Sequence, residues 1–144
     1  GEGYTEPIAK EGALKLKEIS YAHAEAYSLR AMKHGPIALI GPRHPSVVLI
    51  PQDAQSIYEQ GRSNIREITS RGGPVIAIAT EDDHVIAGDV DDVLFIPALA
   101  PGELPIFNVF PAAVTMQLFA YFFAKALGRP IDKPRNLAKS VTVR

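Results

Sequence analysis

The sequence predicts an α/β fold, a three-layer α-β-α sandwich around a mostly parallel sheet. Three short apolar runs rich in β-branched residues, 47–50, 75–79 and 93–96, are each bounded by turn residues. They do not alternate between apolar and polar residues, which is typical of parallel strands buried on both faces. An amphipathic segment from Ala54 to about Ser70 joins the first two runs. This β–α–β order predicts right-handed crossovers between parallel strands.

A long N-terminal helix is predicted before the first strand. Thr5 suits an N-cap, Pro7 suits a first turn, and the chain from Ile8 to about Tyr27 is rich in Ala, Leu, Lys and Glu. A helical wheel groups five residues on one stripe, the predicted buried face. These are Gly12, Leu16, Ile19, His23 and Ala26. We therefore expect His23 to be a core histidine, and residues 33–36, which break the pattern, to form a turn or a new helix start.

Length and composition indicate one ordinary folded domain. The chain has 144 residues, of which 47% are hydrophobic and 22% charged, and a net charge of −1. A net charge near zero over the whole chain does not indicate a nucleic-acid partner. The absence of cysteine excludes disulfides, thiol nucleophiles and cysteine metal sites, and it fits a reducing, cytoplasmic compartment.

Residues 103–127 form the most apolar stretch of the chain. Their length suits a membrane span, but Pro105, Pro111 and Lys125 interrupt the stretch, and nothing in the sequence resembles a signal peptide. We expect no membrane span. A helix that is apolar all round is instead predicted to be buried in the core or in a subunit interface.

The last sixteen residues differ in charge from the rest of the chain. Residues 129–144 hold five basic residues and one acidic residue, so they carry +4 and residues 1–128 carry −5. The sequence therefore predicts a domain over 1–128 and a basic tail over 129–144. Such a tail is either a solvated chain end, which composition alone favours, or an anion-facing segment that folds over a site.

Three charged residues of the predicted first helix share one side. Glu11, Lys15 and Glu18 stand at i, i+4 and i+7, at the edge of the apolar stripe. Spacing alone favours a surface salt-bridge ladder. The alternative is a partly buried carboxylate that moves protons, with the lysine orienting it or binding an anion.

Two further residues are candidates for acid–base or nucleophilic chemistry. His34 lies on a predicted loop, where a rigid scaffold can place an acid or base. Lys139 lies in a semi-apolar stretch of the tail, and a lysine in an apolar pocket can form a Schiff base with a carbonyl. No histidine pair has metal-ligand spacing, and no dinucleotide, P-loop or nucleophile-elbow motif is present, so we expect no metal and no cofactor.

These residues carry a resemblance that runs essentially along the whole chain. Its segments are EGALKLKEISY (11–21), HAEAY (23–27), KHGP (33–36) and DKPRNLAKSVTV (132–143). They resemble the isomerase part of the glucosamine-6-phosphate synthase family, specifically the second of its two sugar-isomerase (SIS) subdomains. The resemblance implies a flavodoxin-like SIS domain over 1–128 and a tail, 129–144, that closes over the sugar site.

The resemblance also implies roles for the candidate residues. Glu18 matches the carboxylate that carries a proton between C1 and C2, and Lys139 matches the lysine that forms a Schiff base with the open-chain sugar. His34 matches the histidine of ring opening, which the family contributes to the neighbouring subunit's site. Glu11 and Lys15 match supporting charged residues. The implied ligands are fructose 6-phosphate and glucosamine 6-phosphate, and the implied assembly is a homodimer.

The chain departs from the family pattern in its length and at two places in its sequence. Arg30-Ala31 stands where the family usually has Gly-Glu, and Arg144 stands where it usually ends in Glu. The family's glutaminase domain, its phosphate-gripping N-terminal SIS subdomain and the first strand of this subdomain are expected to be missing. Another SIS-type phosphosugar isomerase, deaminase or deglycase, and a non-catalytic sugar-phosphate-binding domain, remain alternatives. The joint presence of Glu18, His34 and Lys139 favours an enzyme.

Overall fold

A parallel three-stranded sheet forms the centre of the domain. The structure, a computed structural model, describes residues 1–52 and 55–138. Its strands are β1 (Ser46–Leu49), β2 (Val75–Thr80) and β3 (Asp92–Ile96), in the order β1-β2-β3. Val47 lies opposite Ile76, and both pairings are parallel. The three predicted strands are confirmed to within about one residue at each end.

Helices cover both faces of this sheet. In the described part of the chain they are α1 (Thr5–Ser20), α2 (Leu29–Met32), α3 (Gln55–Thr69), α4 (His84–Ala87) and α5 (Val109–Ala126), with 3₁₀ turns at Pro36–Leu39 and Pro105–Asn108. Ile65 and Ile68 of α3 pack with Val75 and Ala77 on one face of the sheet. Met116 of α5 and Ile8 of α1 pack with Leu49 and Ile78 on the other. The predicted three-layer α/β sandwich is therefore confirmed.

Helix α1 ends at Ser20, seven residues before the predicted end at Tyr27. The Ser20 hydroxyl donates to the Leu16 carbonyl oxygen at 2.6 Å and accepts from the Ala22 N–H at 3.2 Å. Tyr21 then adopts a left-handed conformation, with φ of 65°. A serine hydroxyl that bonds the backbone on both sides competes with the hydrogen bonds that would continue the helix. The residue pattern, which does not contain this information, therefore predicted a helix that is too long.

The two ends of α1 each overturn one expectation. Because His23 lies beyond the helix, its side chain is 81% exposed, and the predicted core histidine is wrong. Thr5 is the first helical residue rather than the N-cap, which is Tyr4. Gly12 keeps its predicted place on the buried face.

The close contact between α1 and α5 depends on small residues. A Cβ atom on Gly12 would lie 2.1 Å from Met116 Cε and 3.2 Å from Met116 Cβ, so there is no room for a side chain at this position. Ala112, Ala120 and Ala124 are fully buried on the same helix as Met116. Only this narrow stripe of α5 faces the core.

Most large apolar side chains of the 103–127 segment are exposed. Phe110 is 66% exposed and Phe122 is 58% exposed, so the expectation of burial in the core fails for most of this helix. Burial in a subunit interface stays a prediction. The segment Pro105–Ala126 has the length and hydropathy of a membrane span. By length and composition alone this is weak evidence for a span, and 22% of the segment's most apolar window is buried in the domain.

Candidate functional site

Helix α1 brings three of the predicted site residues together. The Lys15 Nζ donates to Glu18 Oε2 at 2.6 Å and lies 3.5 Å from Glu11 Oε1. The side chains of Glu18 and Lys15 are 27% and 33% exposed, so the pair is half-buried at the edge of the core. Positions three and four residues apart face the same side of a helix, which is why the spacing alone predicted this cluster.

The charge on Lys15 is stabilised by this arrangement. The hydrogen bond to Glu18 raises the pKa of Lys15, and the charges of Glu18 and Glu11 add to this effect, while burial opposes it. A lysine whose pKa lies above its ordinary value stays cationic throughout the neutral range. The cluster is therefore a fixed cation between two carboxylates, one of which it holds in a short hydrogen bond.

The beginning of the basic tail lies against the C-terminal end of α1. The Arg135 backbone N–H donates to the Tyr21 hydroxyl oxygen at 2.9 Å. The guanidinium carbons of Arg135 and Arg129 lie 4.2 Å and 5.3 Å from the centre of the Tyr21 ring. Sequence reasoning missed Tyr21, because no local pattern pairs a tyrosine with a tail 114 residues further along the chain.

His34 lies in a different part of the domain from Glu18. The backbone N–H of His34 donates to the Ala31 carbonyl oxygen at 3.0 Å, in an exposed turn. Arg30, four residues earlier, pairs with Glu2 just before α1 begins, at 3.4 Å. Glu18 stands near the other end of α1, about 20 Å along the helix from Thr5 at 1.5 Å per residue. Lys33, next to His34, pairs instead with Glu67 of α3, on the opposite face of the sheet from α1. The structure does not bring His34 and Glu18 together within one chain.

Lys139, the candidate for Schiff-base chemistry, lies outside the described residues. The described part of the tail ends at residue 138.

A second polar cluster lies in the core, and sequence reasoning missed it. The Tyr58 hydroxyl donates to both carboxylate oxygens of Asp83, at 2.8 Å and 2.7 Å. Asp83 is also the N-cap of α4 and accepts from the backbone N–H of Ile86. Burial raises the pKa of Tyr58, and its hydrogen bond to Asp83 raises it further. The pair ties α3 to the loop before α4 and is a structural contact.

Comparison with known proteins agrees with this architecture. The family model described as "SIS domain" matches residues 1–122. A relative from Thermus thermophilus named glutamine–fructose-6-phosphate aminotransferase [isomerizing] is 56% identical over 137 residues, which are 95% of this chain and 22% of that relative. The chain thus spans about a fifth of the length of the curated relatives it matches.

Two solved structures share the fold over nearly the whole chain. The C-terminal domain of glucosamine-fructose-6-phosphate aminotransferase from Francisella tularensis is 37% identical, with a TM-score of 0.75 over 92% of this chain and 36% of that one. Glucosamine-6-phosphate deaminase from Thermotoga maritima is 26% identical, with a TM-score of 0.69 over 98% of this chain and 38% of that one. The family match over residues 1–122, together with these likenesses, shows that the chain belongs to the SIS domain family.

Proposed function

We propose that this chain is the second SIS subdomain in the isomerase part of a glucosamine-6-phosphate synthase. The whole enzyme would convert fructose 6-phosphate and ammonia, released from glutamine, into glucosamine 6-phosphate. The observation that carries the proposal is the ion pair between Lys15 and Glu18, at 2.6 Å on α1, with Glu11 beside it. The identity of 56% with the relative from Thermus thermophilus supports the choice of reaction.

Glu18 is the proposed proton carrier. Moving an amino-ketose imine to an amino-aldose removes a proton from C1 and returns one to C2, and a single carboxylate on a rigid helix can do both. Glu18 is half-buried, which limits competition from water for the proton. Its helix is anchored by close packing against α5, so the carboxylate is held in place during the reaction.

Lys15 and Glu11 support Glu18 through the whole proton cycle. While Glu18 is ionised, the lysine orients it through the hydrogen bond between Nζ and Oε2. When Glu18 takes the proton, the Lys15 cation still has the Glu11 carboxylate 3.5 Å away. The second carboxylate thus avoids leaving a half-buried cation without a partner, which would oppose the transfer.

Lys139 and His34 complete the proposed chemistry. Lys139 would form the Schiff base with the open-chain sugar, and His34 would assist ring opening in the site of a neighbouring subunit. The separation of His34 from Glu18 within one chain supports this sharing and hence a homodimer. The phosphate-gripping subdomain and the glutaminase domain would lie elsewhere in the whole protein, as the 22% coverage of the relatives allows. A sugar-phosphate enzyme of this kind would work in the cytoplasm.

The test is product formation by the full-length protein. Given fructose 6-phosphate and glutamine, it should form glucosamine 6-phosphate, detected by mass spectrometry. The 144-residue chain alone should form none, because the proposed phosphate-binding and glutaminase parts lie outside it. Borohydride should trap the sugar on the full-length protein and fail to do so on Lys139→Ala. Undiminished trapping on that variant would show that Lys139 does not form the Schiff base.

A second candidate is amino-sugar deamination, which the 26% identity to glucosamine-6-phosphate deaminase from Thermotoga maritima supports. The same protein preparation distinguishes the two reactions. A deaminase would release ammonia from glucosamine 6-phosphate and would need no glutamine, whereas the synthase would consume glutamine and accumulate the amino sugar.

A further inference from the structure

We propose that Tyr21 is a positioning residue that anchors the described part of the basic tail, residues 129–138, to the end of α1, and so fixes this part relative to Glu18. This inference rests on the proposed function for its catalytic consequence. The anchoring itself stands on contacts among described residues.

The backbone at Tyr21 is turned in an uncommon way. Its φ of 65° and ψ of 12° lie in the left-handed region, which residues other than Gly and Asn adopt rarely. Such a conformation costs energy and persists where the surroundings impose it, often at functional positions. Here the Ser20 hydroxyl, bonded to Leu16 and Ala22, holds the chain in the turn.

The Tyr21 side chain makes three contacts with the tail. Its hydroxyl oxygen accepts the Arg135 N–H, and its ring lies within cation–π distance of Arg135 and Arg129. Arginine is the cation best suited to stack on an aromatic face. The C-terminal end of α1 carries the negative end of the helix dipole, which favours cations at this position. Both the contacts and the charge of the helix end therefore favour binding of the two arginines at Tyr21.

The tail is fixed at two points along its path. It leaves α5 through Gly128, whose φ is 65°, and the Arg129 N–H donates to the Ala124 carbonyl at 3.0 Å. The second point is Arg135 on Tyr21. Helix α5 itself packs on α1, so both points belong to one rigid unit.

This anchor links the two residues to which chemistry is proposed. Glu18 precedes Tyr21 by three residues, and Lys139 follows Arg135 by four. Loss of the anchor would leave Glu18 and its partners intact while giving the chain that leads to Lys139 more freedom. Because effective concentration depends on orientation, Schiff-base formation should slow more than sugar binding weakens.

The experiment compares Tyr21→Ala, Tyr21→Phe and Arg135→Ala in the full-length protein. Tyr21→Ala should lower kcat and the rate of borohydride trapping about tenfold, with KM changed less than threefold. The conservative Tyr21→Phe keeps the ring and should recover most of that loss. Arg135→Ala, at an exposed position, should fold normally and show an intermediate loss. Arg71→Ala, on the opposite face of the sheet, is the matched control and should behave as wild type.

Hydrogen exchange supplies a readout that does not depend on catalysis. Amides of residues 129–138 should exchange faster in Tyr21→Ala than in wild type, while those of α3 should not change. Unchanged exchange in the tail would overturn the anchor, even if the protein proved to have a different activity. Faster exchange with kcat and trapping within twofold of wild type would overturn the positioning role. Absence of product from the wild-type protein would instead refute the proposed function and leave the exchange result to decide the anchor.

Discussion

Lys15 has a different environment from an ordinary surface lysine. An exposed lysine–carboxylate pair contributes little to stability, typically 0 to about 1 kcal/mol. Lys15 is half-buried, contacts two carboxylates and has a raised pKa, so its charge is a permanent feature of the α1 surface. In the proposed function, this cation orients Glu18.

The buried pair of Tyr58 and Asp83 gives a prediction at the scale of single residues. Tyr58→Phe removes the hydroxyl that donates to both Asp83 oxygens and leaves the buried carboxylate with the Ile86 N–H as its described donor. An unsatisfied buried polar group costs about 1–3 kcal/mol, so the free energy of unfolding should fall by that amount. Urea unfolding of the purified chain measures it.

Tyr121→Phe is the control for this substitution. Tyr121 is 40% exposed on α5, and loss of its hydroxyl should change stability by less than about 0.5 kcal/mol. If the two variants lost the same stability, the Tyr58–Asp83 contact would not have the structural role described here.

The positions of some side chains could be predicted from the sequence, and those of others could not. The spacing of Glu11, Lys15 and Glu18 was enough to place them together, because helical geometry is local. His23 was wrongly placed in the core, since its position depended on where α1 ends. Tyr21 could not be identified as a tail contact at all, because contacts between distant parts of a chain leave no local pattern.

At the scale of elements, the contact between α1 and α5 positions the candidate site. Helix α1 carries Glu18, and α5 leads into the tail. Any shift between the two helices would therefore move Glu18 relative to the start of the tail. Gly12 and the small buried residues of α5 allow the close approach. The contact therefore couples packing in the core to geometry at the surface.

Gly12→Val tests this contact. A valine side chain would overlap Met116, and overpacking of this kind costs about 1–3 kcal/mol, which urea unfolding of the chain would detect. Combining it with Met116→Ala should give a smaller loss than the sum of the two single losses, because the smaller residue makes room. Strictly additive losses would mean that the two residues do not compete for the same space.

The elements were predicted with uneven success for a physical reason. The strands and α3 followed from runs of residue type, and their bounds were nearly correct. The end of α1 depended on hydrogen bonds of the Ser20 hydroxyl, which residue type alone does not specify. The exposure of α5 depended on how many neighbours cover it, and a uniformly apolar sequence cannot report this number.

At the scale of the whole molecule, α5 and the turn before it expose a large apolar face. The exposed large side chains include Phe107 of the 3₁₀ turn and, on α5, Phe110, Val114, Leu118 and Phe122. Soluble monomers rarely expose contiguous apolar surfaces of this kind, which mark interaction sites. The proposal of a homodimer and of further domains in the same protein accounts for both this face and the distance of His34 from Glu18.

The full-length protein should therefore sediment as a dimer in analytical ultracentrifugation. Phe110→Lys, which places a charge on the exposed face of α5, tests whether this face takes part. If the face is the dimer interface, the variant should shift toward monomer at equal concentration. A wild-type monomer would contradict both the homodimer and the sharing of His34 between subunits.

The most direct measurement of the central claim is proton transfer at the sugar carbons in Glu18→Gln. In deuterated water, the full-length protein with fructose 6-phosphate and ammonia should exchange the C1 hydrogen, followed by NMR. Glu18→Gln keeps the shape of the side chain but cannot act as a base, so this rate should fall roughly 10²–10⁴-fold. Glu6→Gln, which alters another ion-paired carboxylate of α1, should leave it unchanged. A Glu18→Gln protein that kept more than a tenth of the wild-type rate would contradict the account.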